Sequence, residues 1–143
     1  MGQKVHPLGF RLCITKEWRA RWYADKEYPS LVAEDMRIRR YVATEHRDAD
    51  ISQVTIERGP NDVSVTLYTA KPGLVIGRGG QRVDESRARL EAISGKRVRL
   101  NVQEIREPEL DAFLVARSVA GQLERRVAFR RAMKQAATRA MQR

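Results

Sequence analysis

Four consecutive residues, Gly77-Arg78-Gly79-Gly80, are the part of this 143-residue sequence best suited to hold a ligand. Glycines tolerate positive φ and carry no side chain, so a sugar-phosphate backbone can come close to main-chain N–H groups there. Where a helix starts directly after such a loop, its free N–H groups and its dipole favour phosphate charge. Arg78 inside the loop and Arg82 just after it add charge-assisted contacts. A grip of this kind fixes a nucleic-acid backbone, and base choice falls to the neighbouring groove, for which Ile76, Val83 and Leu100 are the candidates. Taken alone, a Gly-rich stretch is more often just a turn. Two competing phosphate motifs are excluded by spacing: no Gly stands at the last position of the dinucleotide pattern, and no Gly is followed by Lys-Ser or Lys-Thr.

A second group of cations lies near the C-terminal end. Residues 109 to 143 carry eight Lys or Arg against three acids and read as helical. Ala116, Ala120, Leu123 and Val127 form one apolar stripe. Continued at 100° per residue, the same face holds Arg130, Arg131 and Lys134, while the apolar stripe moves to Phe129, Ala132, Met133, Ala136 and Ala140. One straight helix cannot bury both stripes, so a break is expected near Ala128.

The residues for catalysis are missing. Cys13, His6 and His46 are too few for a zinc set, and the acids are scattered among helix patterns without a nucleophile and base pair or a two-metal cluster. No enzyme activity, cofactor, metal or small-molecule substrate is expected. The lone Cys13 cannot form an intramolecular disulfide, which fits a reducing, intracellular setting.

The elements that must position the loop follow from periodicity. Pro29 and Ser30 open a helical run to about Glu45 with Leu31, Ile38 and Val42 on one stripe and Arg37 and Arg40 off it. Val54 and Ile56, then Val63, Val65 and Leu67, alternate with polar residues about Arg58-Gly59-Pro60-Asn61-Asp62, which predicts an antiparallel hairpin. Val98, Leu100 and Val102 alternate in a third strand. The glycine loop falls between a short helix and a longer one, with Val83, Leu90 and Ile93 near helical spacing and Gly95 as the stop. The expectation is an α+β fold: a three-stranded sheet with helices on one face and the other face wet.

Residues 1–28 show no sustained period and read as a basic extension. Its Lys4, Arg11, Arg19, Arg21 and Trp22 suit RNA, since rings stack on bases and Arg takes phosphate; the ordinary alternative is that Trp18 and Trp22 pack on the protein. The excess of 28 Lys and Arg over 18 Asp and Glu, a net charge of +10, makes nucleic acid the leading partner. No stretch approaches a membrane span or a signal peptide, and no membrane partner is expected.

Long blocks of the chain resemble the bacterial-type third protein of the small ribosomal subunit. They are Met1-Gly-Gln-Lys-Val-His-Pro-Leu-Gly-Phe-Arg-Leu, Trp22-Tyr-Ala-Asp-Lys, Thr69-Ala-Lys-Pro-Gly-Leu-Val-Ile-Gly-Arg-Gly-Gly, Asn101-Val-Gln-Glu-Ile, Pro108-Glu-Leu-Asp and Gln122-Leu-Glu-Arg-Arg-Val-Ala-Phe-Arg-Arg-Ala-Met-Lys. The resemblance implies a type II KH domain over 29–107 and contact with ribosomal RNA in the head of the small subunit. It implies messenger RNA at the channel through which the message enters, met by Arg130, Arg131 and Lys134, and neighbouring small-subunit proteins as further partners. Members of that family continue past such a helix, so 108–143 would be a helical connector and the start of a second, truncated domain. The setting implied is a ribosome in the cytoplasm, or in a plastid or mitochondrion. A free-standing KH protein of RNA processing or ribosome assembly is the competing class, and the 28-residue basic arm argues against it.

Overall fold

In the computed structural model residues 2–142 are described; Met1 and Arg143, the outermost residues of the expected arm and basic helix, lie outside them. The arm holds a short helix α1 (Pro7–Arg11) and a two-residue strand β1 (Ala20–Arg21). Helix α2 (Tyr28–Glu45) follows, with the hairpin β2 (Ile51–Arg58) and β3 (Asp62–Thr69), then α3 (Pro72–Ile76), α4 (Gln81–Ser94) and β4 (Arg97–Glu104). The chain closes with α5 (Ala112–Glu124) and α6 (Phe129–Met141). Helix, two strands, two helices and a strand is the order the periodicity predicts.

The sheet runs β1-β2-β3-β4, with β2 and β3 antiparallel and β4 parallel to β3. Opposite residues are Ile56 and Val65, Val63 and Val98, and Leu67 and Val102, so the period-2 apolar positions share one face. Onto that face α2 lays Ile38 and Val42, α3 lays Val75 and α4 lays Leu90, all fully or almost fully buried. Leu31, expected on the same stripe, is half-buried near the start of α2, and Arg37 and Arg40 are exposed. Gly59 N–H closes the hairpin onto Asp62 O at 2.9 Å.

The fourth strand corrects the three-stranded expectation. Ala20 and Arg21 pair in parallel with Ile56 and Glu57. Two residues are too short for any period to register, and they are held from the side. Arg39 donates one guanidinium N–H to Val54 O (2.6 Å) and another to Arg19 O (2.8 Å), bridging helix, hairpin and arm. Beside this, Trp22 Nε1 donates to Asp35 Oδ2 at 2.9 Å, its ring lies under the Arg58 guanidinium (5.7 Å) and packs on Tyr28. Arg58, itself buried, is paired with Asp35 and with Glu34 at 2.7 Å. Burial pulls its pKa down, and the two carboxylates more than restore it, leaving it raised.

The α5–α6 pair docks by polar ties. Asp111 caps α5 by accepting from Phe113 and Leu114 N–H (2.9 and 3.1 Å) and also accepts from Ser52 Oγ at 2.6 Å. Ser52 stands where the β2–β3 register slips, between Ile51 and Gln53. Arg117 donates to Arg47 O at 2.6 Å. These ties turn Leu114 inward, and Ala116, Ala120 and Leu123, expected to form the buried stripe with Val127, are exposed; Val127 alone of the four is half-buried. The rotation of the helix was set by a cap and an arginine rather than by its apolar stripe. The expected break is present: Arg126 takes φ 62° and α6 starts after Ala128. On α6 the small residues Ala132, Ala136 and Ala140 turn inward, while Phe129 and Met133 stay about 60% exposed.

Candidate nucleic-acid interface

Helix α3 is a single turn that starts at Pro72, a residue suited to that position, and stops when Gly77 N–H bonds Gly73 O at 2.9 Å. Gly77 has φ 72° and ψ −175°, a region that is essentially glycine-only. A Cβ on Gly77 would also lie 2.9 Å from Cγ of Arg82. Gly79, at φ 61°, would place a Cβ in open space. The two glycines therefore differ: Gly77 lets the chain reverse against Arg82, and Gly79 leaves the outer side of the loop open.

Below the loop lies a polar brace. Arg82 donates to Leu74 O (2.9 Å) and Glu45 O (3.5 Å), tying α4 to the middle of α3 and the end of α2. Its guanidinium therefore braces the loop from the side of the preceding helices. His46, 2% exposed, bonds Ser86 Oγ through Nε2 at 3.0 Å. Its Nδ1 is buried with no hydrogen-bond partner among the described residues. Burial, then the nearby Arg82 charge, pushes the imidazole pKa below its ordinary value, with Glu45 opposing. Arg78 points outward, exposed and without an ion pair among the described residues, and the first N–H groups of the 14-residue α4 follow the loop directly.

Ile76 is 42% exposed beside the loop, whereas Val83 and Leu100 are half-buried and pack against the core. β4 forms one edge of the sheet, and near its start a groove of about 430 Å³ is lined by Arg87, Glu91, Arg97, Val98, Arg99, Leu100 and Asn101. Of these, sequence reasoning named Leu100 alone as a groove residue. The alternation Arg97, Arg99, Asn101 on the wet face of the strand was the signal that pointed to the rest. Arg87 pairs with Asp84 at 3.2 Å and Arg99 pairs with Asp62.

Arg130, Arg131 and Lys134 come together on α6, away from the loop, around an open concavity of about 570 Å³ that also takes in Gln135, Thr138 and Arg139. The Arg130 guanidinium rests over the Phe129 ring at 5.7 Å. The arm residues are dispersed. Lys4 and Arg19 are exposed, Arg11 donates to Pro7 O at 2.9 Å, and Arg21 pairs with Glu17 and Glu57. Trp22 is bound into the scaffold through Asp35. Among the described residues no group of three or more His, Cys, Asp or Glu could hold a metal ion, and no helix is long and apolar enough to cross a membrane.

A hairpin, a glycine loop between two helices and an edge strand parallel to the second strand of the hairpin define a KH-type domain, and the KH domain family matches residues 37–110. Small ribosomal subunit protein uS3 of Dehalococcoides mccartyi is 61% identical over 143 residues, covering 99% of this chain and 51% of the relative. Those of Natranaerobius thermophilus and Enterococcus faecalis are 54% identical over 141 residues, covering 99% of this chain and 62% and 65% of theirs. The chain belongs to the KH-domain family, and nearly its whole length is similar to bacterial uS3 proteins. It spans about half to two thirds of the length of these relatives.

Proposed function

We propose that this chain is a non-catalytic constituent of the small ribosomal subunit in the cytoplasm. It would hold ribosomal RNA in the head through the Gly77–Gly80 loop, beside neighbouring ribosomal proteins, and touch messenger RNA with Arg130, Arg131 and Lys134 where the message enters. The observation that carries the reading is the loop: three glycines at positive φ and an Arg78 without an ion pair among the described residues, just before a long helix, in a chain whose relatives are named small-subunit proteins. For messenger RNA, the support is three exposed cations around one concavity. Groups held this way bind phosphate by charge and geometry and would open structured message passively, since no nucleotide motif is present in the sequence.

On this reading 1–28 is the arm, 29–107 the KH domain and 108–143 the opening of a second domain. The last assignment rests on α5 and α6, whose large apolar residues Phe113, Leu123, Phe129 and Met133 are 45% to 60% exposed, an arrangement that wants a cover.

The test is sedimentation of the tagged chain with small subunits in lysate, alongside an Arg78→Asp, Gly79→Asp variant. Asp accepts the left-handed conformation, so the variant should fold. The wild type should travel with the subunit and the variant should bind ribosomal RNA less tightly; equal affinity would remove the loop from the interface.

A further inference from the structure

A cleft of about 530 Å³ separates the KH body from α5 and α6, and Lys71, Arg117, Arg125 and Arg139 line it against the carboxylates of Asp50 and Glu109. Asp50 organises one side. Its Oδ2 lies 2.6 Å from Lys71 Nζ and its Oδ1 lies 3.9 Å from Arg117 Nε, and Arg117 is fixed further by its bond to Arg47 O. Asp50 does this from a left-handed backbone, φ 49°, which aspartate tolerates better than most residues. Arg125 and Arg139 are different. Both are exposed, and among the described residues neither side chain makes an ion pair or hydrogen bond. Four cations against two carboxylates leave the cleft positive, with the excess on these two guanidiniums.

The wall contributed by α5 is mixed: Leu114 and Val115 lie beside Ser118, Gly121 and Gln122, while Phe113 and Leu123 face outward. The charged groups, rather than the apolar ones, distinguish this cleft. Forked donors that do not neutralise one another, gathered about one concavity, match an oxyanion with several acceptor oxygens. Position narrows the choice. Arg139 also lines the concavity of Arg130, Arg131 and Lys134, so the two hollows share a wall. At the other side Lys71 directly precedes α3, the turn that ends in Gly77.

We propose that this cleft is a second phosphodiester site for RNA, with Arg125 and Arg139 as its phosphate ligands, and that Arg139 joins it to the α6 face in one track leading toward the glycine loop. The site rests on the RNA-binding reading above and adds a contact region to it.

Salt titration of the full chain with a labelled oligouridylate tests the site. Two phosphate contacts at about 0.7 each for a single strand predict that Arg125→Gln with Arg139→Gln makes the log–log slope shallower by about 1.4, at an unchanged unfolding midpoint. Arg125→Lys with Arg139→Lys should restore the slope, because the contacts are largely ionic. A wild-type slope in the Gln pair overturns the cleft site and leaves the loop reading standing. Loss of slope with a lowered midpoint, unrepaired in the Lys pair, assigns the two residues a structural role and also overturns it. Absence of any binding by the wild type overturns both readings together.

Discussion

Replacing Gly77 and Gly79 separately by alanine should split the loop's two properties. At Gly77 the backbone lies in a region that costs a residue with a Cβ on the order of 1–3 kcal/mol. The new methyl would meet Cγ, Cβ and Cδ of Arg82 at 2.9, 3.0 and 3.2 Å, and the first two are close to the helix backbone and cannot swing aside. Arg82 would have to give up its bond to Leu74 O, adding about 1 kcal/mol after allowance for its exposure. The total is about 3 kcal/mol. At Gly79 the methyl meets nothing, and the left-handed backbone alone costs about 1–2 kcal/mol. With a urea dependence of about 1.5 kcal/mol/M, Gly77→Ala should lower the midpoint by about 2 M and Gly79→Ala by about 1 M. RNA affinity, measured by filter binding to a head fragment of small-subunit RNA, should run the other way among folded molecules. Gly79→Ala places its methyl where a phosphate would approach, and loss of one contact worth about 1.4 kcal/mol is tenfold. Equal midpoints for the two variants, or full RNA affinity in Gly79→Ala, would refute this division of labour.

Three further outcomes are expected. Trp22→Phe keeps an aromatic ring and loses one bond to Asp35, costing about 1 kcal/mol, while Asp35→Ala strands the buried Arg58 side chain with Glu34 alone and should cost about 3 kcal/mol; similar urea midpoints for the two would contradict the ion-pair account. The lowered pKa of buried His46 means that the unfolded chain takes up its proton first, near pH 6.5. The stability it lends is therefore complete above that pH and is lost as pH falls toward the folded-state value, so wild type should weaken on acidification more than His46→Gln, and parallel pH profiles would rule this out. Arg130→Ala with Arg131→Ala and Lys134→Ala should impair reading through structured message more than subunit assembly, and equal losses in the two assays would argue against a messenger contact.

Periodicity alone placed α2, the hairpin, α4 and β4, because alternation at two and 3.6 residues marks the face that must be buried, and Ile38, Val42, Val63, Val65, Leu67 and Leu90 are where it put them. The glycine loop was legible too, since its chemistry is local: Gly77 and Gly79 need only their own backbone and the next helix. The break before α6 was visible as a jump between two stripes. What tertiary structure decided was every arrangement fixed by distant polar partners. β1 depends on Arg39, 20 residues away from the carbonyl of Arg19 that it holds. Trp22 belongs to the scaffold because Asp35 and Arg58 meet it there. The outward turn of Ala116, Ala120 and Leu123 follows from Ser52 and Arg47, and with it the cleft that gathers Arg125 and Arg139. A hydrophobic pattern states which face prefers burial, but a charged hydrogen bond between residues far apart in the chain leaves no period in the sequence, and in this protein such bonds set the orientation of the arm and of α5.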